Sequence, residues 1–128
     1  MNYKKNIDKY IIKNSSTIGD ALNAIDNNKS GFIIIVDNEL KVKGVLTDGD
    51  IRRLIIKKIN LNENAYEFSN KEFIKVNLKI KRENILKIFD EKIKFVPVVD
   101  DKDKLVNVYK RESIPLDPEN KTIVRSKS

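Results

Sequence analysis

Thr47 and Asp50 stand three residues apart in Gly44-Val45-Leu46-Thr47-Asp48-Gly49-Asp50-Ile51-Arg52-Arg53, where an apolar run gives way to a helical pattern. A helix N-terminus presents unpaired backbone N–H groups and the positive end of the helix dipole. A threonine hydroxyl there adds a donor for a phosphate, and an aspartate can accept from the hydroxyls of a ribose. The pair suits binding a nucleotide and includes no catalytic group. Threonine and aspartate are equally ordinary helix caps, and spacing alone favours the cap.

The elements that must position this pair come from a duplication. Shifted by 63 residues, Phe32-Ile33-Ile34-Ile35-Val36-Asp37 falls on Phe95-Val96-Pro97-Val98-Val99-Asp100. Without a gap, Ile11 falls on Ile74, Asn14 on Asn77, Ile25 on Ile88 and Lys29 on Lys92. Lys41, Val45 and Ile51 likewise fall on Lys104, Val108 and Ile114. Two copies of one supersecondary unit follow.

Each copy opens with a short extended piece, Ile11 to Lys13 and Phe73 to Val76. A helix comes next, marked by Ile18, Ala21, Leu22 and Ile25 in the first copy and Ile80, Ile85, Ile88 and Phe89 in the second. Ser16 or Thr17 is the expected cap of the first. A β-branched strand, a polar turn and a second strand (Lys41 to Leu46; Leu105 to Tyr109) lead to a second helix, clearest at Ile51, Leu54, Ile55 and Lys58. The expected fold is α/β (α+β), a β-α-β-β-α unit repeated, with an N-terminal extension at 1–10, repeats at 11–62 and 63–115, and a polar tail at 116–128. The acidic run Asp100-Asp101-Lys102-Asp103 reads as a turn before it reads as a calcium site. Pro97, inside a strand, suggests an edge strand or a place where a ligand takes over.

Composition narrows the chemistry. The 128 residues include no cysteine and no histidine, which removes thiolate and Ser-His nucleophiles and the commonest metal ligand. Gly19, Gly31, Gly44 and Gly49 form no phosphate-binding glycine loop. No signal peptide or membrane span is apparent, so a cytoplasmic location is expected. The 26 basic and 19 acidic residues leave a formal charge of +7. The lysines are dispersed and lack aromatic platforms, so a nucleic-acid partner is not expected.

With repeat and motif together, the chain resembles a CBS-domain pair (a Bateman module) over roughly residues 10 to 115. The resemblance rests on Gly44-Val45-Leu46-Thr47-Asp48-Gly49-Asp50 and on Val96-Pro97-Val98-Val99-Asp100. The string Leu46 to Arg53 and the opening Ser15 to Leu22 are similar to CBS pairs that precede bacterial sugar-phosphate nucleotidyltransferase domains; the string also resembles those of sugar-phosphate isomerases. The resemblance implies two sheets packed about a pseudo-twofold axis, with two equivalent clefts. The first would combine Gly44, Val45, Leu46, Thr47 and Asp50 with Phe73, Ile74, Lys94, Phe95, Val96 and Pro97. Apolar side chains would sandwich an adenine, backbone near Ile74 and Val96 would read its edge, Asp50 would bind ribose and Thr47 phosphate. Lys94 or Arg53 would add charge. No catalytic residue, metal or required cofactor is implied; the ligand would be AMP, ADP or ATP, and the chain a homodimer.

The second cleft departs from this pattern, since Asn107 falls on Gly44, Lys110 on Thr47 and Ser113 on Asp50. One nucleotide site per chain is therefore expected. The alternative function is that of an N-terminal regulatory fragment of a nucleotidyltransferase whose catalytic domain lies outside this sequence. The stretch Glu119 to Ser128 then reads as a linker or a disordered end.

Overall fold

The computed structural model describes residues 7–90 and 92–113. In the first copy, β1 (Ile11–Lys13) runs parallel to β2 (Phe32–Val36), which pairs antiparallel with β3 (Val42–Thr47). In the second, β4 (Val76–Asn77), β5 (Phe95–Val99) and β6 (Leu105–Lys110) repeat that order. Helices α1 (Ile18–Asn28) and α2 (Asp48–Ile56) belong to the first copy, and α3 (Arg82–Ile88) to the second. The second copy's expected second helix and the polar tail fall largely outside the described residues. A 3₁₀ turn, Arg111–Ser113, stands where α2 begins in the first copy.

β2 explains the layering. All five of its residues are buried, with no polar alternation. Phe32, Ile34 and Val36 join Val42, Val45, Val99 and Leu105 in one cluster. Ile33 and Ile35 join Ile18, Ala21, Ile25, Leu46 and Ile51 in another. A strand covered by helices on one face and by a second sheet on the other must be apolar throughout.

The Phe32 ring stacks on the Phe95 ring, with centroids 3.9 Å apart and planes 5° from parallel. Lys41 bridges to Lys104, and the Leu105 N–H donates to the Leu40 carbonyl at 2.8 Å. These phenylalanines and lysines are 63-residue equivalents. Equivalent residues touch each other only where an approximate twofold axis passes between them, so that axis runs through the Phe32–Phe95 stack.

The repeat is not gapless. The Asn14 N–H donates to Val36 as the Leu78 N–H donates to Val99, and the helix caps are Thr17 and Lys81. The opening strand and helix start are thus related by 64 residues, while β2 and β5 keep 63. The matches of Ile11 with Ile74 and Asn14 with Asn77 are one residue out of register, and Tyr10 is the true counterpart of Ile74. The second copy's opening is also shorter than its pattern suggested. Phe73 and Ile74 precede β4, while Ile80 and Phe89 flank α3 and still pack on its core.

Pro97 is not on an edge. It lies in β5, the middle strand of its sheet. In the first copy Ile11 pairs with Ile34, but the equivalent pair of Lys75 with Pro97 does not form. Proline has no N–H to complete it. The ladder opens there and leaves the Ile74 carbonyl without its strand donor.

The acidic run is a turn. The Asp100 carboxylate accepts the Lys102 and Lys104 N–H groups at 2.8 and 3.0 Å, as Asp37 accepts those of Glu39 and Lys41. The Lys41 N–H bond is the main force holding the Asp37 carboxyl below its ordinary value. Asp101 and Asp103 pair with Lys79 and Lys75.

Residues 61–70, assigned mostly to the second repeat, strap the first. Ile18 donates to Glu63, Ala65 donates to Ser16, and Val45 and Asn70 exchange both backbone bonds at 2.9–3.0 Å. Gly44 faces this strap. A Cβ there would lie 2.3 Å from the Ser69 Oγ and 3.1 Å from its Cβ. The motif's glycine is thus required for close packing. Gly44→Ala is expected to destabilise the fold by about 1–3 kcal/mol through overpacking, read as a lowered midpoint in chemical denaturation; Ser69→Gly in the same chain is expected to recover part of the loss.

Candidate functional site

The Thr-x-x-Asp element at the start of α2 is a reciprocal cap. The Thr47 Oγ1 accepts the Asp50 N–H at 3.1 Å, and the Asp50 Oδ2 accepts the Thr47 N–H at 3.0 Å. The other Asp50 oxygen takes Arg53 at 2.6 Å. Thr17 and Asp20 form the same box on α1. The motif is therefore a cap wherever it occurs, and what distinguishes Thr47 and Asp50 is the space beside them.

That space is a cavity of about 230 Å³ off the pseudo-twofold axis. Val45, Thr47 and Asp50 line it from the first copy, and Phe73, Ile74, Lys94, Phe95 and Pro97 from the second. Eight of the residues named from the sequence are thus brought together across the two copies. Leu46 and Val96 have their side chains in the helix-facing cores, because side chains alternate along a strand, so only their backbone can serve a ligand. Gly44 packs against Ser69 and is absent from the lining. Arg53 is exposed and reaches the site only through Asp50.

The free helix-end donors are fewer than the motif implied. The Asp48 N–H donates to the Gly31 carbonyl at 2.9 Å, and the Asp50 N–H is used in the cap. Gly49 keeps the remaining first-turn N–H, and the Thr47 hydroxyl, an acceptor in the box, still has its own proton to give.

A second cavity of about 420 Å³ adjoins the first and shares Thr47, Lys92, Lys94 and Phe95 with it. It straddles the axis, since Gly31 and Lys94, Phe32 and Phe95, Thr47 and Lys110, and Gly49 and Glu112 are repeat-related pairs that all line it. Sequence reasoning missed Lys92 and Lys110 as site residues. The signal was present in Lys110, which falls on Thr47. Asp90 shapes the loop carrying Lys92 and Lys94: its carboxylate accepts the Ile93 and Lys92 N–H groups at 2.7 and 2.8 Å. The Ile93 bond foremost, then Lys92, holds this carboxyl below its ordinary value. The Arg111 guanidinium donates to the Asp90 carbonyl.

The position related by the twofold axis to the first cavity is occupied from within. Tyr10, the counterpart of Ile74, is 7% exposed and stacks on Phe32 at 5.2 Å. The Lys110 Nζ donates to the Tyr10 hydroxyl at 3.1 Å and to the Ser30 Oγ at 3.3 Å. Buried Asn28 anchors this arrangement by donating to the Lys9 and Phe32 carbonyls at 3.0 Å and accepting the Ser30 N–H. Burial raises the Tyr10 phenol, but hydrogen bonds with Lys110 and Ser30 and the charges of Lys110 and Lys9 outweigh it, and the net direction is down.

A family model described as the CBS domain matches residues 6–57 and again 65–114. The chain belongs to the CBS domain family. Residues 7–10, placed in an N-terminal extension from the sequence, fall inside the first match, as the burial of Ile7 and Tyr10 requires. The CBS domain protein PAE2072 from Pyrobaculum aerophilum, complexed with AMP, is similar in fold with a TM-score of 0.72 and 19% identity, covering 85% of each chain. CBSX2 in complex with AMP is similar with a TM-score of 0.70 and 22% identity, covering 80% of this chain and 81% of that one. Arabinose 5-phosphate isomerase KdsD of Yersinia pestis is 38% identical over 47 residues, 37% of this chain and 14% of that protein. The chain spans only 14 to 30% of the length of the curated relatives it matches. Among the described residues, no helix is long and apolar enough to cross a membrane.

Because Thr47 caps α2, Thr47→Ala is expected to cost about 0.5–2 kcal/mol of stability even without ligand, and Thr47→Ser a smaller part of that. Thermal denaturation of the free proteins checks this, and an unchanged midpoint in Thr47→Ala would remove the capping role.

Proposed function

We propose that this chain is a regulatory module that binds one adenine nucleotide and carries out no chemistry of its own. The observation that carries this is the composition of the off-axis cleft: Thr47 and Asp50 from one copy face Phe73, Ile74 and Pro97 from the other. Phe73, Ile74 and Pro97 offer apolar surface for a base. The Ile74 carbonyl, freed by Pro97, offers an acceptor suited to an exocyclic amino group. The Asp50 carboxylate meets the ribose once Arg53 gives way, and Thr47 and the Gly49 N–H meet the first phosphate. Two neighbours of the same fold, each complexed with AMP, support the ligand class.

A ligand held by both copies favours one arrangement of them, and an enzyme attached to or associated with the module would sense that population shift. The match to a sugar-phosphate isomerase and the Leu46–Arg53 string favour a sugar-phosphate enzyme as the one controlled. Within that class, a nucleotidyltransferase carrying this module at its N-terminus is the second reading; the intact mass of the native protein separates it from a free-standing module. A cytoplasmic homodimer completes the proposal.

Calorimetric titration with AMP, ADP and ATP is expected to show one nucleotide per chain, because Tyr10 fills the second cleft. Asp50→Asn is expected to weaken binding at least about tenfold, the loss of one charge-assisted hydrogen bond. Two equal sites per chain would overturn the asymmetry, and selective binding of guanine or cytidine nucleotides or S-adenosylmethionine would overturn the ligand class.

A further inference from the structure

The axial cavity is a different chemical environment from the cleft beside it. At three of its four repeat-related pairs the second copy has replaced a small or neutral residue: Lys94 stands for Gly31, Lys110 for Thr47 and Glu112 for Gly49. Lys92 adds a third cation. Of the two carboxylates in the lining, Asp48 is paired with Arg52 at 2.9 Å, which leaves Glu112 against three lysines. Among the described residues, none of the three lysines is ion-paired, and the Lys110 ammonium meets the hydroxyls of Tyr10 and Ser30 and the face of the Tyr10 ring, with no carboxylate partner. A half-buried cation with neutral partners is stabilised further by an entering anion. The space also fits: about 230 Å³ is below the usual size of a small-molecule site, whereas the adjoining 420 Å³ is within it. Thr47, placed at the first phosphate, is at the boundary the two cavities share.

We propose that the axial cavity receives the phosphates beyond the first of a nucleoside diphosphate or triphosphate, with Lys92, Lys94 and Lys110 selecting a phosphate chain over a monophosphate. This rests on the reading of the off-axis cleft as the nucleoside site. It also accounts for the altered second element. With Lys110 in place of a second threonine, the second copy supplies charge to the first copy's ligand. The cost of that conversion is the second cleft, since Lys110 also ties down Tyr10.

The test is calorimetric titration of the full chain with AMP, ADP, ATP and inorganic tripolyphosphate, without added divalent cation, beside Lys94→Ala, Lys92→Ala and Lys110→Met. ATP or ADP is expected to bind at least about tenfold more tightly than AMP, one charge-assisted hydrogen bond's worth. Lys94 and Lys92 lie outside the buried core and can be replaced without touching it, and each replacement is expected to erode the ATP affinity about tenfold and the AMP affinity by clearly less, since both lysines also border the nucleoside cleft. Equal affinity for AMP and ATP, or lysine variants that weaken both alike, would overturn the proposal while leaving the nucleoside site standing. Tripolyphosphate binding that is lost in Lys94→Ala, with no nucleotide bound more tightly than tripolyphosphate, would uphold the axial anion site and overturn the nucleoside cleft.

Discussion

The face-to-face contact of Phe32 with Phe95 is the constraint on which the architecture depends. Two copies of a half-open sheet each expose one apolar face, and neither copy can bury that face alone. Packing the faces about a twofold axis solves both problems at once and forces equivalent residues together on the axis. Aromatic rings can stack on their own counterparts in near-parallel geometry, here with centroids 3.9 Å apart, and they bury a large apolar area in doing so. Ile34, Val36, Val42, Val45, Val99 and Leu105 pack around this contact. The paired clefts are the two flanks of the same interface.

Those flanks begin equivalent and are made different by a few residues. On one side, Pro97 ends the parallel ladder early and leaves Ile74 half open beside Phe95. On the other, Ile34 lets the ladder run on, and Tyr10, the counterpart of Ile74, fills the space related to the open cleft by the twofold axis. Asn28 then satisfies the backbone of that side by bonding both Lys9 and Phe32. Asymmetry between the copies thus comes from backbone hydrogen-bonding capacity at one position and side-chain volume at another. The open cleft and the filled one are two outcomes of one piece of geometry.

The Thr47–Asp50 box shows how a structural role leaves groups free for a ligand. The cap uses the oxygen of Thr47 and one oxygen of Asp50, while the hydroxyl proton and the second carboxylate oxygen remain outside it, the latter turned toward Arg53. Cap formation therefore orients the groups a ligand would meet. A residue pair fixed by two reciprocal hydrogen bonds loses little conformational freedom when a ligand arrives, which favours binding.

Much was legible in the residues alone. The duplication, the strand positions and the capped helix starts follow from apolar periodicity and from identities 63 residues apart, whereas the contribution of both copies to one cleft was implied only by the resemblance to CBS-domain pairs. The former are local properties, fixed by side-chain polarity and backbone preference. The sequence also marked Lys110 as the departure from Thr47. It could not show that the opening strand is offset by one further residue, because chance identities at Ile74 and Asn77 mimic the wrong register. Pro97 gave a false edge signal, because strand order is a property of the sheet and not of the strand. Nor could spacing show that Ser69 makes Gly44 obligatory, or that Lys92, Lys94 and Lys110 converge, because these residues meet only in the folded chain. Composition and spacing determined what each element is; the packing of two sheets on one stacked pair decided which side chains face the same space.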